Sequence, residues 1–275
     1  MDTEQRVQAG DVTFTVRTGG ERRAYWDSVS AGHWEPQTLR ALRRFLRPDE
    51  SVIDFGAWIG PTVLYGAHFA RRIHAIEPDI TAYAELAQNV AANPRLAPRI
   101  ALYDLCIAPQ TGPVHLYAGG MYRGGNSRFG DSMSGIVPTP GDWGQESRVV
   151  AGVPLEQFMA THAIDDCGYI KMDIEGGEYG LINGRWRGMA AFGMPTLNLS
   201  FHAPRAPQRE ELIGACLEEL SRCYRWLYSP LDERVLDACQ LMQNVPDWHD
   251  DAPGSSWRQL EWLLGAGIVA SNSPW

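Results

Sequence analysis

The sequence predicts an α/β fold built around a doubly wound, mostly parallel β-sheet, and three observations lead to this prediction. The apolar run Ser51–Phe55 is typical of a buried strand, and a glycine turn and a helix beginning at Pro61 follow it. A second strand and an amphipathic helix come next, which completes a βαβ unit. Further apolar runs alternate with helical segments, so we expect the strands to pair in parallel.

Length and composition limit the number of domains. With 275 residues, 44% of them hydrophobic, the chain can bury one full core and a small appendage. We therefore expect a single domain over residues 1–275. Within it we expect an N-terminal strand and helix extension at 1–48, a core at 49–245 and a C-terminal tail at 246–275.

Charge and cysteine content argue against several classes of protein. The formal net charge of −9 disfavours tight binding to nucleic acid. Apolar runs are far shorter than the roughly 20 residues that a membrane span needs, so we expect no membrane partner. The five cysteines form no CxxC pair, and an odd number cannot all pair within one chain. A reducing, cytoplasmic location is therefore expected.

The elements can be assigned in order along the chain. Alternation of Val12, Phe14 and Val16 with polar residues predicts a half-buried strand in an N-terminal hairpin. A helix with one apolar face follows at 39–46 and stops before Pro48. Core strands are expected at 51–55, 73–76, 100–105, 169–174 and 195–201, with a helix capped by Asp79 after the second strand.

Two segments fall outside this pattern. Segment 119–145 is rich in Gly, Ser and Pro, and loops of this length are uncommon unless they are functional or disordered. We interpret it as a lid or acceptor-binding loop, with a mobile surface loop as the alternative. The tail at 246–275 carries four tryptophans and helically spaced leucines. We expect it to pack onto the core or onto a partner chain, which leaves a homo-oligomer open.

The turn after the first strand is suited to binding a ligand. Gly56 and Gly60 stand where a ligand must approach the backbone and where the next helix must pack closely. Glu77 follows the second strand, where a carboxylate can accept hydrogen bonds from both hydroxyls of a ribose. A capping or surface role is the alternative for Glu77. No P-loop or GxGxxG motif is present, so we favour a ribose-bearing ligand without a pyrophosphate.

A more specific motif, KMDIEGGE, stands at 171–178. Together with the DxGAxxG turn and the pair Glu77-Pro78, it resembles the FkbM-type methyltransferases over roughly residues 34–203. The resemblance implies the Rossmann-like, seven-stranded sheet of class I methyltransferases, with S-adenosylmethionine as methyl donor. For the cofactor, it implies that the methionine part is lined by Asp54, Gly56, Ala57 and Gly60, the ribose is held by Glu77, and the adenine amino group is contacted by Asp104.

Two positions depart from the pattern of this family. Trp58 stands where members often have Asn, so the turn is bulkier here. Ser200 stands where members often have the acid of an E-x-H motif, whereas the histidine of that motif is retained as His202.

Asp173, Glu175 and His202 are the candidate catalytic residues. They stand at the ends of the fourth and fifth strands, on the expected ligand crevice, and an alcohol acceptor needs a group that takes its proton. His202 is expected to be the base, because imidazole titrates nearest neutrality, and Asp173 to matter more than Glu175.

Each of these assignments has an alternative. Glu175 and Glu178 are also suited to capping the next helix, and Asp173 and His202 to structural roles at strand ends. The trio is also suited to a divalent cation. Because Ser200 replaces an acid, a metal is not favoured and no metal ligand is assigned.

These residues lead to an expected function. We expect an S-adenosylmethionine-dependent O-methyltransferase acting on a hydroxyl of a small molecule, such as a sugar unit or a natural-product intermediate. The resemblance supplies the substrate class, because the residues alone support only a ribose-containing ligand in an α/β crevice. An N-methyltransferase and a non-catalytic binding module, with Trp58 blocking the turn, are the alternatives.

Overall fold

The computed structural model describes residues 3–19, 21–119, 129–138, 146–202, 208–243 and 266–275. The strands in these residues are β1 (Thr3–Ala9), β2 (Val12–Thr18), β3 (Ser51–Phe55), β4 (Arg72–Ile76), β5 (Ile100–Tyr103), β6 (Cys106–Ile107), β7 (Gly112–Tyr117), β8 (Ser147–Val153), β9 (Cys167–Met172), β10 (Thr196–Leu199), β11 (Trp226–Tyr228) and β12 (Ile268–Ser271). The α-helices are α1 (Glu21–Ser30), α2 (Pro36–Phe45), α3 (Pro61–Gly66), α4 (Ile80–Ala91), α5 (Leu155–Thr161), α6 (Glu178–Ile182), α7 (Arg209–Cys223) and α8 (Ala238–Gln243).

The central feature is a seven-stranded sheet with the order β11-β12-β10-β9-β3-β4-β5. The strands from β10 to β5 pair in parallel, whereas β12 pairs antiparallel with both β10 and β11. The order reverses between β3 and β9, because the chain first builds outward through β4 and β5 and then returns. Ligands of open α/β sheets bind at such a switch point. The predicted doubly wound, seven-stranded sheet is confirmed.

Apolar clusters cover both faces of this sheet. Helices α1 to α4 and the hairpin of β1 and β2 pack on one face, and helices α5 to α7 pack on the other. Strand β3 is buried between them, because Val52 faces the first cluster while Ile53 and Phe55 face the second. A strand buried on both faces needs apolar residues throughout, which explains the continuous apolar run there.

Three core strands end two residues earlier than predicted. Strand β5 ends at 103 instead of 105, β9 at 172 instead of 174, and β10 at 199 instead of 201. After β9, the Asp173 amide still donates to the Phe55 carbonyl at 3.2 Å, but Glu175 has a φ of 55°. This left-handed conformation turns the chain out of the sheet. Asp173, Glu175 and His202 therefore lie on loops beyond the strands.

The predicted N-terminal hairpin is present and is docked on the core by asparagine side chains. The Asn93 Oδ1 accepts from the Thr15 amide at 2.9 Å, and its Nδ2 donates to the Thr15 carbonyl at 2.6 Å. The Asn89 Oδ1 accepts from the Arg17 amide at 2.8 Å. β1 pairs with only one edge of β2. The asparagine side chains supply hydrogen-bond partners for backbone groups on the other edge, so the hairpin is fixed against α4.

A second sheet, with the order β6-β8-β7, was not predicted from the sequence. Its strands β7 and β8 lie on either side of segment 119–145, of which the structure describes residues 119 and 129–138. The lid interpretation falls partly outside the described residues. These strands are difficult to predict because β6 has only two residues and because the glycine-rich segment separates β7 from β8 in the sequence.

The C-terminal tail contributes to the core sheet through β12, whose residues are all buried. Trp275 packs edge to face on Phe45 and contacts Tyr228. Packing of the tail onto the core therefore holds for its last residues, while 246–265 lie outside the described part of the chain.

All five cysteines are free, and none of the described helices has both the length and the apolar character needed to cross a membrane.

We expect Asn93→Ala to lower the free energy of unfolding by about 1–3 kcal/mol, because it leaves partly buried backbone groups of β2 without partners. Urea unfolding followed by circular dichroism measures this change. The exposed Gln88 of α4, the helix that ends just before Asn93, supplies a matched control, Gln88→Ala, which is expected to stay within about 0.5 kcal/mol of the wild type. Equal stability of both variants would show that the hydrogen bonds between Asn93 and Thr15 do not hold the hairpin in place.

Candidate functional site

A cavity of about 240 Å³ opens at the carboxyl ends of β3, β4 and β9. It lies where the strand order reverses, as the topology requires. The described residues that line it come from the first helices, the strand ends and segment 129–138; they are Tyr25, Trp34, Glu35, Phe55, Gly56, Ala57, Trp58, Pro61, Thr62, Ile76, Glu77, Pro78, Cys106, Ile107, Leu116, Asp131, Ser132, Ser134, Gly135, Ile136, Lys171, Asp173 and Ile174.

The turn after β3 forms the floor of the cavity. Gly56 has a φ of 79°, and a Cβ atom at this position would lie 1.7 Å from the Asp173 carbonyl oxygen. Only glycine fits there, because both the conformation and the close backbone approach exclude a side chain. Trp58 has a φ of 47°, a left-handed conformation that Asn adopts more readily. The indole therefore occupies a position whose backbone favours a smaller residue.

Glu77 joins this turn to the start of α4. Its Oε2 accepts from the Trp58 amide at 2.7 Å, and its Oε1 accepts from the Asp79 amide at 2.8 Å. Burial raises the pKa of this carboxyl to about 7, although the two backbone hydrogen bonds oppose the shift. Each oxygen still has a lone pair for a further donor.

Lys171 is buried between two carboxylates. Its Nζ lies 3.5 Å from the Asp54 Oδ1, 3.3 Å from the Asp173 Oδ2 and 3.4 Å from the Gly56 carbonyl oxygen. Burial lowers the pKa of Lys171, but the charges of Asp173, Asp54 and Glu35 outweigh burial and raise it above its ordinary value. The ammonium therefore stays charged, which stabilises the ionised acids around it.

Burial and the neighbouring charges shift the pKa values of the two aspartates in opposite directions. Burial raises the pKa of Asp54, even though Lys171 and the Thr62 hydroxyl favour its ionised form. Burial also acts on Asp173, but the charges of Lys171 and His202 outweigh it and lower the pKa of Asp173. Asp54 accepts a hydrogen bond from the Thr62 hydroxyl and pairs with the Lys171 ammonium group. Thr62 and Lys171 line the cavity, whereas Asp54 does not.

His202 lies among three acids, Asp173, Glu175 and Glu178, which together we call the acid–histidine cluster. Its Nδ1 is 2.8 Å from the Glu178 Oε1, and its Nε2 is 3.4 Å from the Glu175 Oε1 and 3.6 Å from the Asp173 Oδ1. Burial lowers the pKa of His202, but the adjacent carboxylates of Glu175, Glu178 and Asp173 outweigh burial and raise it to about 11.

This environment bears on the predicted role of His202 as a base, which stays a prediction. When nothing else neutralises the three acids, they favour the protonated imidazole and hold its pKa above the neutral range. Glu178, a residue of α6, meets His202 only in the folded chain. The Glu178 Oε1 also accepts from the Ile174 amide, which precedes the helix, at 3.3 Å.

Aromatic side chains form the outer part of the cavity. Tyr25 makes edge-to-face contacts with Trp34 and Trp58, with ring centroids 5.8 Å and 4.7 Å apart. The Tyr25 hydroxyl is buried and has no hydrogen-bond partner among the described residues. Glu35 lies beside these rings, and its Oε2 accepts from the Thr38 hydroxyl at 2.9 Å. Burial and the charge of Asp173 raise the pKa of Glu35.

Segment 129–138, here called the wall segment, closes one side of the cavity. Asp79 holds it: one oxygen caps α4 through the Thr81 amide at 2.8 Å, and the other accepts from the Gly130 amide and from the Ser134 hydroxyl at 3.2 Å. The Trp58 indole also donates to the Gly130 carbonyl at 3.2 Å. The capping role predicted for Asp79 is present, and a second role adds to it.

The structure brings together some of the residues that the sequence singled out. Gly56, Ala57, Glu77 and Asp173 line the cavity. His202 lies next to Asp173 and Glu175, while Asp54 and Gly60 are not among the described lining residues. Asp104 is exposed and is not among the described lining residues. The binding roles of these residues stay predictions.

Sequence reasoning missed the aromatic side chains, Glu35 and the role of Lys171. The motif at 171–178 contained Lys171, but a lysine in an apolar strand gives no sign of its partners. Trp34 and Glu35 stand directly before Pro36 and the predicted helix, and no motif marks them as ligand-binding residues. Their distance in sequence from the glycine turn hid their place in the cavity.

Comparisons with known proteins bear on this site. The sequence profile described as "Methyltransferase FkbM domain" matches residues 54–224, which is more than half of the chain. A search of curated proteins found no match. This matched region contains the glycine turn, Glu77, Lys171 and the acid–histidine cluster.

Two solved structures are similar to parts of the chain. The crystal structure of Methyltransferase FkbM from Methylobacillus flagellatus KT shares 18% identity, with a TM-score of 0.40, over 72% of this chain and 46% of that chain. This chain thus matches about half the length of that relative. The 23S rRNA methyltransferase ErmE shares 23% identity, with a TM-score of 0.22, over 25% of this chain and 27% of that chain. On the strength of the profile match, the chain belongs to the FkbM methyltransferase family.

Proposed function

We propose that this protein is an S-adenosylmethionine-dependent O-methyltransferase acting on a hydroxyl of a small molecule, such as a sugar unit or a natural-product intermediate. The observation that carries the proposal is Glu77, a buried carboxylate that faces the cavity beside a glycine turn. A buried carboxylate is costly unless it is used or paired. In a member of this methyltransferase family, a ribose diol of the methyl donor is the partner that fits it.

The residues present fit the proposed cofactor. Gly56 brings the backbone against the cavity without a side chain, and Glu77 keeps lone pairs for two hydroxyl donors. Thr62 and Lys171 add polar groups near the same turn. When bound, S-adenosylmethionine supplies an electrophilic methyl group. The part of this chain is to position both reactants, which accounts for much of the rate in displacement reactions.

The outer part of the cavity fits a small hydroxylated acceptor. Tyr25, Trp34 and Trp58 present apolar ring surfaces, while the Tyr25 hydroxyl and the Glu35 carboxylate add polar groups. Flat apolar surfaces with a few convergent polar groups are typical of small-molecule sites. Such a surface suits a sugar ring, which has apolar faces and hydroxyls at its edge.

The acceptor hydroxyl must lose a proton as it is methylated, and Glu35 is the carboxylate best suited to receive it. Its pKa is raised by burial, so it is a stronger base than Asp173, whose pKa is lowered. His202 is not among the described residues that line the cavity, so it is less well placed for this step than Glu35. Asp173 then helps to orient the acceptor rather than to deprotonate it.

Product analysis tests the proposed function. The protein is incubated with S-adenosylmethionine and a pool of hydroxylated small molecules, and mass spectrometry detects any product that has gained one methyl group. Fragmentation then assigns the methyl to oxygen or nitrogen. Binding is followed in parallel by thermal shift with S-adenosylhomocysteine, which stabilises the fold if it binds only the native state. A protein that neither binds this ligand nor transfers methyl is not a methyltransferase.

We expect Glu77→Gln to weaken S-adenosylhomocysteine binding on the order of ten- to a hundredfold, because hydrogen bonds to a charged acceptor contribute about 1.5–3 kcal/mol. Calorimetry measures the affinity. Glu218→Gln, at an exposed residue of α7 paired with Arg222, is a matched acid-to-amide control. Equal affinity of the two variants would remove Glu77 from the binding site.

The raised pKa of Glu77 adds a pH dependence to the same experiment. With a pKa of about 7, the carboxyl is neutral below this pH and ionised above it, and only the ionised form offers all its lone pairs. The wild-type affinity is therefore expected to rise between about pH 6 and about pH 8. Glu77→Gln lacks the titrating group and is expected to lose this rise.

We expect Glu35→Gln to lower the turnover number by about 10²–10⁴-fold while leaving the affinity for S-adenosylhomocysteine nearly unchanged, because a general base acts on the acceptor and not on the cofactor. The amide keeps the hydrogen bond with Thr38, so the fold is retained. Turnover within threefold of that of Glu218→Gln would exclude Glu35 as the base.

A further inference from the structure

We propose that Asp173, Glu175 and His202 form a binding site for one divalent cation beside the cavity. The Asp173 Oδ1, a Glu175 carboxylate oxygen and the His202 Nε2 converge there, and suitable ligand atoms of the three residues all lie within 4.8 Å of one another. This proposal concerns binding alone, so it does not depend on methyl transfer.

The distances match those between ligands around one ion. The His202 Nε2 lies 3.4 Å from the Glu175 Oε1 and 3.6 Å from the Asp173 Oδ1. These separations exceed the roughly 2.7–3.2 Å of a good N–H···O hydrogen bond. Two ligands at ~2.1 Å from a tetrahedral or octahedral cation are roughly 3.0–3.4 Å apart. The two separations from the His202 Nε2 are therefore within a few tenths of an ångström of this range, and the carboxylate oxygens of Asp173 and Glu175 lie within 4.8 Å of each other.

A fourth residue orients the histidine. The Glu178 Oε1 pairs with the His202 Nδ1 at 2.8 Å, which directs Nε2 toward Asp173 and Glu175. Metal-bound histidines usually donate their other ring N–H to such a carboxylate. The Tyr179 hydroxyl donates to the His202 carbonyl at 2.6 Å and fixes the backbone. Glu178 is thus a positioning residue for the proposed site.

Glu178 also gives an independent sign of a missing positive charge. It is 0% exposed, and its Oε2 has no hydrogen-bond partner among the described residues. Three acids meet one imidazole here, and Lys171 is already shared between Asp173 and Asp54. A buried carboxylate oxygen without a partner is costly, and a divalent cation at His202 Nε2 offsets the excess negative charge.

The ligand set indicates the kind of cation. Two carboxylate oxygens and one imidazole nitrogen favour a first-row ion such as Mn²⁺ over Ca²⁺, which prefers oxygen alone. Position 200 carries a serine and not an acid, but Glu175 supplies the second carboxylate from the loop after β9. Three protein ligands leave coordination positions open. If the proposed function holds, an acceptor hydroxyl on the cavity side of Asp173 would occupy one and lose its proton more readily.

Mn²⁺ titration of the full chain tests the site without cofactor or acceptor. After treatment with chelator and its removal, calorimetry and electron paramagnetic resonance are expected to show one saturable Mn²⁺ per wild-type chain. Glu175→Gln and His202→Gln are each expected to weaken binding at least tenfold, and Glu178→Gln about 10–100-fold. Glu218→Gln and His115→Gln, both at exposed positions, are matched controls expected to bind as the wild type does.

Two results would overturn the proposal: no saturable binding of Mn²⁺ to the wild type, or wild-type affinity in both Glu175→Gln and His202→Gln. Thermal melting checks that each variant is folded. Methyl-transfer assays separate the two proposals. Site-dependent Mn²⁺ binding without any methyl transfer supports the cation site and contradicts the proposed function, whereas unchanged turnover in chelator contradicts only the role toward the acceptor.

Discussion

Lys171 is a cation buried between two acids, and the arrangement of the cavity depends on it. Its ammonium group contacts Asp54 at the end of β3 and Asp173 just after β9, at distances of 3.5 Å and 3.3 Å. These strands are neighbours at the point where the sheet order reverses. Loss of either partner would leave an uncompensated buried charge, so the two strand ends and the glycine turn between them are held in one geometry.

Two further carboxylates, those of Glu77 and Asp79, each form hydrogen bonds with two different parts of the structure around the cavity. Glu77 bonds the turn after β3 to the start of α4, and Asp79 bonds the start of α4 to the wall segment. The turn, the helix and the wall segment are therefore connected through two acids that are separated by one proline. A ligand that contacts Glu77 would contact a group already fixed on both sides, which reduces the entropy lost on binding.

The two sides of the cavity differ in chemistry. On the inner side, Asp173 and the acid–histidine cluster concentrate negative charge around one imidazole. On the outer side, Tyr25, Trp34 and Glu35 come from the N-terminal part of the chain and surround the opening with aromatic rings and one carboxyl of raised pKa. The N-terminal extension therefore completes the site, and its asparagine-bound hairpin keeps that part of the chain on the core.

The sequence by itself determined the local units: the buried strand at 51–55, the glycine turn, the helix begun by Pro61 and the acid after the second strand. These follow from neighbouring residues, because strand burial, turn conformation and helix capping are set within a few positions. It also carried the family motif at 171–178. Only the tertiary structure decided that β12 enters the sheet, that Glu35 faces Asp173 and that Glu178 meets His202. These relations join residues far apart in the chain, and a buried group's pKa depends on the charges that folding places around it.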